Sequence, residues 1–386
     1  MSDINLELPF EKIVSFRHTL HQFPEVSEFE SETAKRVVDF VKNFNPDGIL
    51  ENLGGTGVAV VYNGEKPGPT LLFRCELDAL PIQEINEFQH RSVYQGISHK
   101  CGHDGHMAIL VGLASLLKNS PPETGRIVLL FQPAEENGAG AKAVLADARF
   151  ADIEPDMVFA LHNLPGYPEN HIFCKSGSFT PAVTSIITRL TGKTSHAAEP
   201  ENGINPALAM SVIIREFHNL ECTDQKSEKF GLITPVEMNM GEEAYGISAG
   251  YGELRYTLRT WTNSQLEQLK KSTEEVVAAV ADNHGLSVEV EWTQTFAANE
   301  NHDEMVSLIK ESAQENQLHY VEKTEPFKWG EDFGLFTEKY KGAMFGIGAG
   351  EKVPALHNPD YDFPDQIIPA AVNMFYKIIQ KVAKHV

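Results

Sequence analysis

Basic residues are scarce in this chain: 32 Lys and Arg stand against 54 Asp and Glu, a formal charge of −22. That excess repels phosphate backbones and anionic headgroups, so it argues against nucleic acid or a membrane as partner and leaves small molecules or other proteins. Long apolar runs are also missing. The longest, residues 108–117, covers half of the about 20 residues that a membrane helix needs. Residues 1–10 have neither a basic n-region nor an apolar h-region, so they do not read as a signal peptide. Cysteine is sparse too. Cys75, Cys101, Cys174 and Cys222 are widely spread with no CxxC pair, which excludes a small disulfide scaffold and fits reduced thiols in a cytoplasmic protein. Any one of them remains available as a ligand.

What is present is a globular composition. The 386 residues are 42% hydrophobic and 22% charged, which excludes disorder and collagen and is enough for two domains, with a one-domain barrel as the alternative. Helical spacing predicts helices over 9–22 and 31–44, the second carrying Ala34, Val37, Val38 and Val41 on one face. Short runs rich in Val, Leu and Phe follow at 57–62, 70–77, 126–131 and 157–161, with a helix over 106–118 between the middle pair. This alternation predicts an α/β catalytic domain with a mostly parallel sheet. From residue 183 the rhythm changes to strand 183–190, helix 205–220, strands 230–240 and 251–260, helix 263–283 and strand 286–292. Taken in order these give β-α-β-β-α-β, the ferredoxin-like α+β arrangement. It reads as an insertion spanning 182–295, between catalytic segments 1–181 and 296–386. The returning segment is expected to add helices at 303–315 and 365–384 and a strand at 343–347, with hinges at 175–181 and 297–302.

Polar residues fall just after the predicted strands: Asp78, Glu135 and Glu136, and His162. In open α/β sheets ligands bind beyond the carboxyl ends of the strands, so these groups can converge on one crevice. The run Cys101-Gly102-His103-Asp104-Gly105-His106 adds a loop able to set a thiolate beside an imidazole, and His357 is a further candidate. Each alone has a plain structural explanation: a buried cysteine, a core histidine, a solvated acidic turn. Together, the Cys/His/Glu/His/His set suits a borderline transition metal such as Zn²⁺, Mn²⁺ or Ni²⁺ and not Ca²⁺ or Mg²⁺.

The motifs resemble one family along nearly the whole chain. They are Arg17-His18-Thr19-Leu20-His21 with Pro24-Glu25, Leu77-Asp78-Ala79-Leu80-Pro81-Ile82, the Cys101–His106 run, Phe131-Gln132-Pro133-Ala134-Glu135-Glu136, Leu161-His162-Asn163, Gly192-Lys193, Ser195-His196-Ala197-Ala198, Glu331-Asp332-Phe333 and Leu356-His357-Asn358-Pro359. In order and spacing the set is similar to the M20 metal-dependent amidohydrolases, in the branch of aminoacylases, hippurate hydrolases and auxin-conjugate hydrolases. The resemblance implies a phosphorylase/hydrolase-like catalytic domain with an inserted lid and dimerisation domain. It further implies two divalent ions per subunit (Mn, Zn, Ni or Co) on Cys101, His103, Glu136, His162 and His357. By the same resemblance Glu135 is the general base, Asp78 a supporting residue and His196 the donor to the tetrahedral oxyanion. The implied enzyme cleaves N-acyl amino acids or similar small amides. It is a homodimer or higher homo-oligomer in which His196 can come from the partner subunit. Within the same fold, a dipeptidase or aminopeptidase and a non-catalytic metal-binding relative are the alternatives.

One four-residue stretch and one single position depart from the family pattern. Gly246-Ile247-Ser248-Ala249 stands where the branch usually has Asn-Val-Ile-Pro, which removes an amide that holds substrate in relatives, and Glu76 stands where the branch has Asp. Gly246–Gly250 also fits G-x-S-x-G, but a strand is predicted after it where a nucleophile elbow needs a helix. Gly192-Lys193-Thr194 ends like a phosphate loop, yet position 187 is Ile where that loop needs Gly.

Overall fold

Apolar residues three and four apart set the first helices. The computed structural model, which describes residues 8–384, has α1 (Phe10–Gln22) burying Ile13, Phe16 and Leu20, and α2 (Ser31–Val41) burying Ala34, Val37, Val38 and Val41. A 3-10 turn, Lys42–Phe44, then takes the end of the expected second helix. The chain continues through β1 (Gly48–Leu53), β2 (Gly57–Asn63), β3 (Lys66–Glu76), α3 (His103–Asn119), β4 (Thr124–Gln132), α4 (Gly140–Ala146), β5 (Met157–Pro165), β6 (Ile172–Cys174) and β7 (Gly177–Thr180). There follow β8 (Ala182–Thr191), β9 (Ser195–His196), α5 (Ala207–Leu220), β10 (Gly231–Met240), β11 (Ile247–Ser248), β12 (Tyr251–Thr260), α6 (Asn263–Asn283) and β13 (Ser287–Phe296). The last elements are β14 (Asn299–Asn301), α7 (Asp303–Glu315), β15 (Tyr320–Glu322), α8 (Gly334–Thr337), β16 (Lys341–Gly350) and α9 (Ile368–Lys384).

These elements fall into two units. The first comprises the chain up to Phe179, Asn299–Thr324 and the chain from Glu331 onward; the second comprises Thr180–Ala298 and Glu325–Gly330. That last segment belongs with the second unit because Gly330 packs on Val183 and Phe296, and the Arg259 guanidinium donates to the Lys328 carbonyl at 3.0 Å.

In the first unit an eight-stranded sheet runs β1-β2-β4-β3-β5-β16-β6-β15. Its centre, β4-β3-β5-β16, is parallel, while β1, β2 and the β16/β6 pair are antiparallel. The central strands are buried on both faces, which is why each carries a short continuous apolar run, residues 71–73 in β3, 127–131 in β4 and 157–161 in β5. Helix α3 is buried from His103 to Leu117 and packs with α1 and α9 in the same core. It begins earlier than the expected residue 106. Gly102, at φ +95°, turns the chain into the helix, and a Cβ there would come within 2.7 Å of the Asn163 side chain.

The second unit has a four-stranded antiparallel sheet in the order β10-β12-β8-β13. One face, with Ile186, Leu190, Leu254 and Leu258, packs against Ile213 and Phe217 of α5 and Val277 of α6. The opposite face is polar, with Arg189 paired to Glu253 at 3.1 Å and Glu291 at 2.8 Å. Thr262 and Gln265 form a capping box that starts α6. The short β9/β11 pair was not foreseen; it sets His196 opposite Ile247.

Candidate active site and metal centre

Separate stretches of the first unit deliver their polar side chains to the carboxyl ends of the parallel strands. Asp78 follows β3, Glu135 and Glu136 follow β4, His162 lies late in β5, His357 follows β16, and Cys101 and His103 stand at the start of α3. Donor atoms gather closely there. Cys101 with His103 and His162, Cys101 with Glu136 and His357, and His103 with Glu135 and Glu136 each lie within 4.8 Å of one another.

Asp78 is fully buried and organises its neighbours. Its Oδ2 accepts from Ser27 Oγ at 2.8 Å and from the Glu136 N–H at 2.9 Å. Its backbone carbonyl accepts from His103 Nδ1 at 2.9 Å, so His103 turns Nε2 toward Glu135 and Glu136, 3.8 Å from a carboxylate oxygen of each. His103 Nε2 and Glu136 Oε1 are buried and make no hydrogen bond. His162 donates from Nδ1 to the Asn163 carbonyl at 2.9 Å and presents Nε2 to Cys101 Sγ at 3.5 Å. His357 is the exposed member, 52% accessible, with Nε2 3.7 Å from Glu136 Oε1.

Buried acidic groups crowd the site. Burial, then repulsion from Glu331, Glu136 and Asp332, pushes the Glu135 carboxyl well above its usual range. Glu136 is pushed up to about 7, chiefly by burial, and burial beside Glu136 and Glu135 drives the Cys101 thiol well up. Burial opposes charge on His103, but Asp78, Glu76 and Glu136 outweigh it and raise the ring to about 10. A divalent ion bound among these groups would favour the ionised carboxylates and thiolate. This chemistry, with His103 Nε2 and Glu136 Oε1 buried and not hydrogen-bonded, fits a metal centre.

Behind the donors lies a network that the sequence reading passes over. Arg74, buried on β3, donates to Glu76, to Glu331 at 2.8 Å, to Asp332 at 2.5 Å and to Gln132 at 2.9 Å. Glu76, the departure from Asp, accepts from His106 Nδ1 at 2.6 Å. The available hint was a charged pair spaced i, i+2 in an otherwise apolar strand.

His196 is exposed in the second unit. Its Nδ1 accepts from the Ala198 N–H at 3.0 Å, which leaves the ring proton on Nε2 as a donor. Gly246 faces open space, with nothing within 4 Å of a Cβ built on it, and its carbonyl accepts from the Ala197 N–H at 2.9 Å. A cavity of about 760 Å³ is lined by Lys193, Asn205, Ile247, Ser248 and Tyr251, among others. Ser248 sits on β11, and strand β12 follows it where a nucleophile elbow needs a helix; its hydroxyl accepts from the Asn205 amide at 3.0 Å.

A strand-end cluster of thiol, imidazole and carboxylate donors on a mostly parallel sheet defines a metallohydrolase architecture. The model described as "Peptidase family M20/M25/M40" matches residues 72–381, and the chain belongs to that family. Among its relatives, the N-acetyldiaminopimelate deacetylase of Lactobacillus helveticus is 29% identical, over 94% of this chain and 95% of its own. The N-acetyl-L-cysteine deacetylase of Bacillus subtilis is 30% identical, over 98% and 90%. The Bacillus subtilis YXEP protein, described as a dinuclear metal binding peptidase from the M20 family, superposes with a TM-score of 0.83 at 26% identity, over 98% and 99%. The chain is a metal-dependent amidohydrolase.

Proposed function

We propose that the protein cleaves the amide bond of N-acyl amino acids or similar small conjugates, using two divalent ions held by Cys101, His103, Glu136, His162 and His357. The observation that carries this reading is the 3.8 Å approach of two buried atoms that make no hydrogen bond, His103 Nε2 and Glu136 Oε1, beside Glu135. The soft thiol and the imidazoles favour Zn, Mn, Ni or Co over Ca or Mg. When bound, such ions lower the pKa of water from about 15.7 toward 7 and polarise a carbonyl.

The chain's own residues do the rest. Glu135, whose carboxylate lies beside His103 and Glu136 in the donor cluster, takes the proton from the attacking water and returns it to the departing nitrogen. Asp78 fixes the His103 ring so that Nε2 is the donor. His196 donates from Nε2 to the oxyanion that develops on the carbonyl. The strand order of the second unit, with both helices on one face, supports a ferredoxin-like lid. Exposed Val236, Met238 and Met240 along edge strand β10 support a dimerisation role and hence a homodimer. The free thiols support a reducing, cytoplasmic location. No helix among the described residues is long and apolar enough to cross a membrane.

The relatives' deacetylase names support N-acyl amino acids as the substrate class, while open Gly246 beside the β9/β11 pair supports an altered choice within it. A panel of N-acetyl and N-benzoyl amino acids and dipeptides, each with Mn²⁺, Zn²⁺, Ni²⁺ or Co²⁺, tests this reading. Turnover of the N-acyl compounds is expected; preferential turnover of dipeptides with a free α-amino group would replace it with a dipeptidase.

A further inference from the structure

The Arg17-His18-Thr19-Leu20-His21 motif has no part in the chemistry above, yet Arg17 and His21 are fully buried on α1. Arg17 Nη1 donates to Asp104 Oδ2 at 2.9 Å and to Asp362 Oδ1 at 2.9 Å, and Nε donates to Asp365 Oδ1 at 2.5 Å. Asp104 directly follows His103; Asp362 and Asp365 lie on the segment after His357. One planar guanidinium therefore joins the two stretches of chain that carry these histidines. His21 supports the joint, Nδ1 lying 2.9 Å from Asp104 Oδ2 and Nε2 3.0 Å from Glu84 Oε1.

A second buried cation repeats the pattern. Lys100, just before Cys101, donates from Nζ to Glu84 at 2.5 Å, to Asn86 at 2.9 Å and to the Tyr361 carbonyl at 2.7 Å, while its own carbonyl accepts from the His357 N–H at 2.8 Å. The Tyr361 hydroxyl accepts from the Asn163 amide, next to His162. Phe363 seats on Gly105, where a Cβ would come within 2.3 Å of its ring. His21, Asp104 and Asp362 lie close enough together to suggest a further metal group, but the Arg17 guanidinium already bridges the two carboxylates.

We propose that Arg17 and Lys100 are positioning residues that brace the His357 segment against the Cys101–His103 segment and so set the affinity of the ion that uses His357. The proposal rests on the ligand reading above. The ligands differ in how they are held. His103 and His162 are buried and oriented by nearby backbone carbonyls, whereas His357 is exposed, has φ +65°, and sits on a segment tied down by the brace. Slack in the brace must reach His357 first.

Metal-free protein is titrated with Co²⁺ by calorimetry, with thermal melts confirming a folded state. Wild type is expected to take two ions. Arg17→Lys keeps the charge but cannot hold the three-way fork. It should bind the first ion as wild type does and the second about 10–100-fold more weakly, the usual loss when a partner behind a ligand is removed. Asp365→Asn, which leaves the Arg17–Asp104 bond intact, should show the same asymmetry and decides the matter if Arg17→Lys does not fold. A residue of merely structural importance would lower the melting temperature without separating the two affinities. Unchanged affinities, or equal loss of both, in a folded variant against a two-ion wild type overturns the brace alone. A wild type that takes fewer than two ions overturns the ligand reading, and the brace with it.

Discussion

Replacing Glu135 with Gln is expected to leave the bound metal unchanged and lower kcat by about 10²–10⁴-fold, the range associated with loss of a general acid-base group. Gln preserves shape and hydrogen bonding but cannot accept a proton. Glu136→Gln should behave differently. That side chain faces His103 Nε2 and His357 Nε2 at 3.8 and 3.7 Å, so neutralising it removes charge from the centre of the donor cluster, and metal should be lost together with activity. Elemental analysis beside steady-state kinetics separates the two roles. An active Glu135→Gln protein, or equal metal loss in both variants, would contradict the division.

His196→Ala is the second large effect. An oxyanion donor acts on the transition state, so kcat and kcat/KM should fall together by about 10²–10³-fold with metal content intact. The Ala198 N–H occupies Nδ1, which leaves Nε2 as the ring atom that can donate. A change confined to KM would reduce His196 to ground-state binding, and wild-type kinetics would remove it from the reaction. Mixing inactive Glu135→Gln and His196→Ala proteins assigns the subunit: activity regained on exchange means that His196 serves the partner's site.

The parallel centre of the sheet was legible because strands buried on both faces carry continuous apolar runs, as β4 does over residues 127–131 and β5 over 157–161. The edges were not. Strands β6 and β15 are three residues long and draw their stability from neighbours rather than from a pattern of their own. The start of α3 was hidden because Cys101–His106 is polar and glycine-rich, a composition that reads as a loop until Gly102 is seen to turn the chain and Asp104 to be held by Arg17 and His21. Candidate ligands could be read because they stand at strand ends in recognisable motifs. Arg74 could not, since the Arg74/Glu76 pair in an apolar strand gains meaning only when Glu331 and Asp332 are brought around it from a distant part of the chain.

The most direct test of the central claim, amide hydrolysis at a two-ion centre, is to strip the protein with a chelator and return one metal stepwise while following hydrolysis of the best N-acyl amino acid from the panel. The metal-free protein should be folded and inactive. Activity should rise with added ion and reach its plateau at two equivalents per chain, with bound ion measured on the same samples. Hydrolysis by the fully stripped protein at the rate of the loaded one, or two bound ions with no hydrolysis of any N-acyl substrate, would contradict the account.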